Sequence, residues 1–342
     1  MKNQFKYLFL FLGIAISVGF HWIKTTPIYF DIPKGFPKPV YDFKNNPLTE
    51  EGFQLGRHLF YDPILSKDNT ISCASCHLQQ TGFTHVDHEL SHGIDNKIGT
   101  RNSLTIQNLV WNKAFMWDGG VNHLDVQAIA PITSEVEMDE TLENVVSKLQ
   151  KNEKYQALFE NAFGTKKITG QLMLKAISQF VVMLTTANSK YDKVMRKELK
   201  FTEMEQKGYN LFKTNCASCH TEPLFTNNSF ENNGLKIDET LNDFGRMKIT
   251  QNPNDSLKFK VPTLRNIQFT FPYMHDGRFK TLTAVVNHYN SDIQKGKTLA
   301  KQLQKPMRLS DNERTEIVAF LKTLTDTEFL FNPRFAYPKE NN

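Results

Sequence analysis

Cys73-Ala74-Ser75-Cys76-His77 decides how this chain is read, because it returns unchanged as Cys216-Ala217-Ser218-Cys219-His220. In a Cys-x-x-Cys-His run the two thiols add across the vinyl groups of a haem while the adjacent imidazole ligates its iron. All four cysteines fall in these two words, and both pairs are followed by His although only 10 of 342 residues are His. Chance would place His after both pairs about once in a thousand such chains. Two disulfides or a redox dithiol are the competing readings, but a dithiol would stand beside a βαβ pattern, which is absent. A zinc site would draw four ligands from the two pairs, leaving the following His and the long separation unexplained. The words therefore point to two covalently bound haem c groups.

Working outward, Gly56-Arg57-His58-Leu59-Phe60 precedes the first word and Gly208-Tyr209-Asn210-Leu211-Phe212 the second. Both carry Gly-x-x-Leu-Phe on a predicted helix, so one small haem-binding unit occurs twice, the first copy with an insertion from Tyr61 to Ser72. Thr202-Glu203-Met204-Glu205 forms a capping box that opens the second copy. Ser310-Asp311-Asn312-Glu313 forms another, ahead of a helix with Ile317, Phe320, Leu321 and Leu324 on one face. A helix before the haem word and one at the C-terminus is the plan of a small c-type cytochrome. Glu140 to Phe163 and Thr169 to Ala187 read as helices, and Asn227 to Ser256 as a long polar loop. The expected fold is mainly α with few or no strands. Two cytochrome c-like haem domains, 47–190 and 191–335, are joined by an interface.

The balance of 41 basic and 36 acidic residues, net +5, gives no basic stripe with interleaved aromatics and argues against nucleic acid. Lys2 and Lys6 ahead of the apolar run Leu8 to Phe20 mark residues 1–24 as a signal peptide or an uncleaved N-terminal anchor. Export to the periplasm is the expectation, which suits haem c attachment. The Pro- and Lys-rich stretch 25–46 reads as a linker.

Around the haem words stand Arg101-Asn102, then Phe115-Met116-Trp117-Asp118-Gly119, Gln127 and Val136-Glu137-Met138. Beyond the second come Val261-Pro262-Thr263-Leu264-Arg265-Asn266 and Pro272-Tyr273-Met274-His275-Asp276-Gly277. In this ordered set the chain resembles the bacterial dihaem cytochrome c peroxidase and MauG superfamily over nearly everything beyond the linker. The resemblance implies that Glu137 is the acid–base residue of peroxide cleavage and that Gln127 orients peroxide or water. It implies that Trp117 carries electrons between the haems, and that Asn102 with the carbonyls of Thr270 and Pro272 binds calcium between the domains. It further implies hydrogen peroxide as substrate, a small cytochrome c or copper protein as electron donor, and a homodimer.

Two positions divide that family. His92 resembles a histidine that caps the first haem at rest, although the spacing to Arg101-Asn102 is longer than usual and His85 and His88 compete. The far-side ligand of the second haem falls on Tyr289, with Met274 as the alternative. A thioether there raises the potential, whereas a phenolate favours ferric and higher states. The expected activity is peroxide reduction. The alternatives are a MauG-like oxidase that matures a partner protein by oxidising its residues, and a dihaem electron carrier without catalysis.

Overall fold

A computed structural model describes residues 25–339, so the segment read as signal or anchor lies outside the described residues. The first half carries α1 (Glu50–Tyr61), α2 (Cys73–Cys76), α3 (Ile129–Thr133), α4 (Leu142–Gln150), α5 (Glu153–Phe163) and α6 (Gly170–Val182). The second carries α7 (Lys190–Met195), α8 (Glu203–Asn215), α9 (Met247–Thr250), α10 (Leu282–Asn287), α11 (Asp311–Lys322) and α12 (Thr327–Leu330). Among the described residues the only sheet is the antiparallel pair β1 (Phe230–Glu231) and β2 (Phe259–Lys260), so the chain is mainly α. Both capping boxes form, at Thr202 with Glu205 and at Ser310 with Glu313. The helix expected over 140–163 is divided, because the Asn152 side chain accepts hydrogen bonds from the Lys154 and Tyr155 amides and starts a new helix. The stretch read as a loop over 227–256 contains β1 and α9.

In each half the helix before the haem word crosses the last long helix, α1 on α6 and α8 on α11. Glycine permits both crossings. A Cβ on Gly56 would come within 1.9 Å of the Ala176 carbonyl oxygen, and one on Gly208 within 1.9 Å of that of Glu316. Beside each crossing lies the same aromatic trio, Phe60, Phe83 and Phe180 in one half and Phe212, Phe225 and Phe320 in the other. The Phe60–Phe180 and Phe212–Phe320 centroids are each 5.0 Å apart.

The repeat runs further than the helices. Asn108 and Asn266 both hold positive φ, 56° and 58°. Asn108 Oδ1 accepts from the Thr186 amide at 2.9 Å, and Asn266 Oδ1 from the Asp326 amide at 2.7 Å. Phe115-Met116-Trp117-Asp118-Gly119 and Tyr273-Met274-His275-Asp276-Gly277 form one and the same turn, with Met116 at φ 67° and Met274 at φ 77°. The turn is closed by Phe115 N to Val121 O and by Tyr273 N to Phe279 O, both at 2.7 Å.

Equivalent residues also meet across the join of the two halves. Asn266 Nδ2 donates to Gln107 Oε1, and Gln107 Nε2 to the Arg265 carbonyl, both at 2.7 Å. Arg101 closes the outer side by hydrogen bonding Asp118 of its own half and Asp243 of the other, each at 2.6 Å.

Residues 25–46 are not a free linker. Phe30, Phe36 and Phe43 pack on the first core, the Trp111 indole donates to the Pro37 carbonyl at 2.8 Å, and the Arg265 guanidinium lies 4.8 Å from the Phe36 ring centroid. Proline composition predicts an extended path; the aromatic residues pin that path to the core.

Candidate functional site

Two cavities take their floors from the two haem words. The first, of about 360 Å³, is lined by Cys73, Cys76 and His77, and the second, of about 210 Å³, by Cys216, Cys219 and His220. All four thiols are free of disulfides. The single turn α2 is started by a Ser72–Ser75 capping box and ends at His77. His77 Nδ1 lies 2.8 Å from the Phe83 carbonyl oxygen, and His220 Nδ1 lies 3.1 Å from that of Phe225. Both carbonyls belong to residues of positive φ, 59° and 54°. A carbonyl on Nδ1 keeps the proton there and leaves Nε2 as the iron ligand. Burial pushes the His77 pKa down to about 4 and lowers that of His220, so both imidazoles are neutral at physiological pH. Two thiols, one presented imidazole and an apolar cavity in each half fit haem c. Among the described residues no group of three His, Cys, Asp or Glu is placed to hold a bare metal ion.

Glu137, Gln127, Met116 and His92 line the first cavity. Glu137 is fixed through its backbone, its N–H donating to the Ser134 carbonyl at 3.0 Å and its own carbonyl accepting from Ile94 at 2.9 Å. Its carboxyl has no hydrogen-bond or ion-pair partner among the described residues, and burial raises its pKa. The neighbouring acids behave differently. Asp139 pairs with Lys67 at 2.9 Å, and Glu140 with Lys148 at 2.9 Å. The hydrogen bond from Lys67 lowers the pKa of Asp139; Glu140 is raised by burial, but Lys148 and the Thr141 amide outweigh this and bring it below its ordinary value. Gln127 Nε2 lies 3.8 Å from Met116 Sδ. The three competing histidines stack in a row, His85 to His88 at 4.9 Å and His88 to His92 at 4.1 Å between centroids. Of the three, His92 lines the cavity.

The second cavity receives both candidate far-side ligands, Tyr289 and Met274. After Asn287 the helix α10 widens into a π-turn, His288–Asp292, which carries Tyr289. Such turns interrupt regular helices and recur at functional sites. His288 Nε2 lies 3.0 Å from the Asn233 carbonyl, and Asn233 Nδ2 donates to Met274 Sδ at 3.3 Å. Burial pushes the Tyr289 phenol up to about 12, against a hydrogen bond from the same Asn233 side chain that lowers it. Asn233 is thus shared by both candidate ligands. It lies in the polar stretch 227–256, where no local pattern marks it.

Asn102 to Thr105, Trp117, Lys260, Pro262 and Thr263 line both cavities and form the wall between them. The Trp117 indole donates to the Asn102 carbonyl at 2.8 Å and meets His275, its counterpart in the repeated turn, edge-on at 6.5 Å. Asn102, Thr270 and Pro272 share the second cavity's lining. Among the described residues Asn102 Oδ1 and the carbonyls of Thr270 and Pro272 accept no hydrogen bond, an uncommitted oxygen set of the kind calcium takes.

Residues 50–200 match a family model described as di-haem cytochrome c peroxidase, and residues 205–325 match one for cytochrome c. The chain is 36% identical over 307 residues to the methylamine utilization protein MauG of Methylorubrum extorquens, covering 86% of this chain and 83% of that protein. It is 36% identical over 294 residues to the cytochrome c551 peroxidase of Nitrosomonas europaea, covering 84% of each. Among solved structures, a MauG-like protein associated with microbial copper homeostasis superposes with a TM-score of 0.80 at 31% identity. That superposition covers 91% of this chain and 99% of the other.

Proposed function

The chain belongs to the di-haem cytochrome c peroxidase family, which includes the MauG proteins, and from that membership we propose that it reduces hydrogen peroxide to water in the first cavity with electrons delivered through the second. The bound haems supply the peroxide-cleaving and electron-storing chemistry. Glu137 takes a proton from one peroxide oxygen and returns it to the other, which leaves as water. Gln127 orients the incoming peroxide, and Trp117 bridges the two cavities for the electron. The unpaired Glu137 carboxyl, raised by burial while Asp139 and Glu140 are lowered, is the observation that carries this reading.

In this reading residues 47–190 form the peroxidatic unit and 191–335 the electron-transfer unit, and a small reduced cytochrome c or copper protein feeds the latter. His92 caps the first haem at rest, Tyr289 ligates the second, and Asn102, Thr270 and Pro272 hold calcium. The chain is exported to the periplasm, released or anchored by its first 24 residues, and pairs as a homodimer.

A second reading has a specific observation behind it: Tyr289, presented on a π-turn into the second cavity, suits an oxidase that draws electrons from residues of a partner protein. One equivalent of peroxide added to the fully oxidised and to the half-reduced holoprotein, with haem absorption followed within milliseconds, separates the readings. Reaction of the half-reduced form alone supports the reductively activated peroxidase. An immediate, long-lived product from the oxidised form supports the oxidase and removes His92 as resting ligand. Silence from both leaves an electron carrier and overturns both readings.

A further inference from the structure

Lys260 is a buried cation without a counter-charge. It is 6% exposed on the wall shared by both cavities, and its N–H is fixed to the Trp117 carbonyl at 2.7 Å. Its ammonium has no hydrogen-bond acceptor and no carboxylate partner among the described residues. Burial alone pushes its pKa down to about 8, so it remains largely charged at neutral pH. Of the other charged groups, Arg101 is committed to Asp118 and Asp243, and Asp276 to Arg278, while Glu137 in the first cavity and Glu231 in the second make no ion pair with Lys260. Buried charges are paired in folded proteins because an unpaired one is costly to desolvate.

The internal repeat sharpens the point. Asn102 N donates to the His275 carbonyl at 2.7 Å, as Lys260 N does to that of Trp117, so Asn102 and Lys260 are equivalent residues of the two halves. The first half offers the uncommitted Asn102 Oδ1 at that place, whereas the second carries a fixed cation. The anion it lacks is one that each cofactor brings, since a haem carries two propionates.

We propose that the Lys260 ammonium pairs with a haem propionate at the wall between the two cavities and raises the reduction potential of the haem whose propionate it holds. The inference rests on the two haem c groups and not on peroxide chemistry. No covalent step is involved: the pair is an ion pair, and a positive charge beside a haem favours the form holding one more electron.

The test is a spectroelectrochemical titration of both haems in the holoprotein and in its K260M and K260R variants. K260M is expected to lower the reduction equilibrium constant of one haem at least tenfold, a 59 mV fall for a one-electron couple. K260R, which keeps the charge, is expected to stay within a factor of three of the parent. Unchanged potentials in K260M, or an equal fall in K260R, overturn the proposal. Should K260M fail to mature with haem, the resonance Raman propionate-bending bands of the parent and K260R decide. A shifted band supports the pair, and identical bands overturn it. Neither readout depends on turnover, so loss of the peroxidase reading would leave this result standing.

Discussion

Glu137 and Asn233 show what single residues contribute here. Burial without a partner raises the Glu137 pKa, so the carboxylate proposed to accept the peroxide proton forms only at a pH above its ordinary value of 4.5. The rate of peroxide reaction should therefore fall on the acid side along a limb displaced upward from that value. E137Q should abolish the limb and slow the reaction by about 10²- to 10⁴-fold. Stopped-flow haem absorption across pH checks this, and a variant that keeps both limb and rate would remove Glu137 from the chemistry. Asn233 acts one step away, by hydrogen bonding Tyr289 and Met274. In N233L the phenol loses the bond that lowers its pKa, so ligation should shift towards the Met274 thioether, with a higher potential for the second haem. The near-infrared spectrum of the oxidised holoprotein distinguishes the two ligands. Glu137 was reachable from sequence through its surrounding motif, but Asn233 was not. Its partners lie 41 residues away at Met274 and still further on at Tyr289, and only the fold brings them together.

At the scale of elements, what sequence revealed was whatever is encoded locally. The boxes at Thr202 and Ser310 were legible because a cap is written within four residues. The π-turn at Tyr289 was not legible: the apolar stripe of Leu282 and Val285 runs smoothly into it, and the contact made there, His288 to the Asn233 carbonyl, is distant in sequence. The strap 25–46 departs from its linker composition for a related reason, since composition describes backbone stiffness and says nothing of where Phe30, Phe36 and Phe43 settle. The repeated Gly-x-x-Leu-Phe was visible, but its meaning as a helix crossing needed the 1.9 Å approach at Gly208. G208A should force α8 off α11 and destabilise the second half by about 1–3 kcal/mol. Chemical denaturation followed at the second haem reads this out, and an unchanged midpoint would mean that the crossing has slack.

The whole molecule is held in one piece partly by Arg101, which grips Asp118 in its own half and Asp243 in the other. Burial pushes the Asp243 carboxyl up, but hydrogen bonds from Arg101 and the Gly245 amide outweigh it and hold the pKa well below the ordinary 3.8. A depressed carboxyl stabilises the fold at pH above that ordinary value, and the contribution is lost as pH falls through the folded pKa. D243N should cost about 3 kcal/mol at neutral pH. The difference from the parent should shrink as pH falls well below 3.8, and denaturant midpoints measured from neutral to acid pH test it. A constant difference across that range would assign the loss to packing alone.

The doubled turn at Met116 and Met274 also bears on ancestry. One geometric template satisfied twice in a single chain is the mark of a duplicated gene, so each half serves as an outgroup for the other. Features common to both, such as the glycine crossings, the asparagines at positive φ and the carbonyl on the haem histidine, are what the ancestral unit needed in order to fold around its cofactor. The halves part company at Glu137 in one and at Tyr289 and Lys260 in the other, and these are the positions to which the proposed division of labour assigns different tasks.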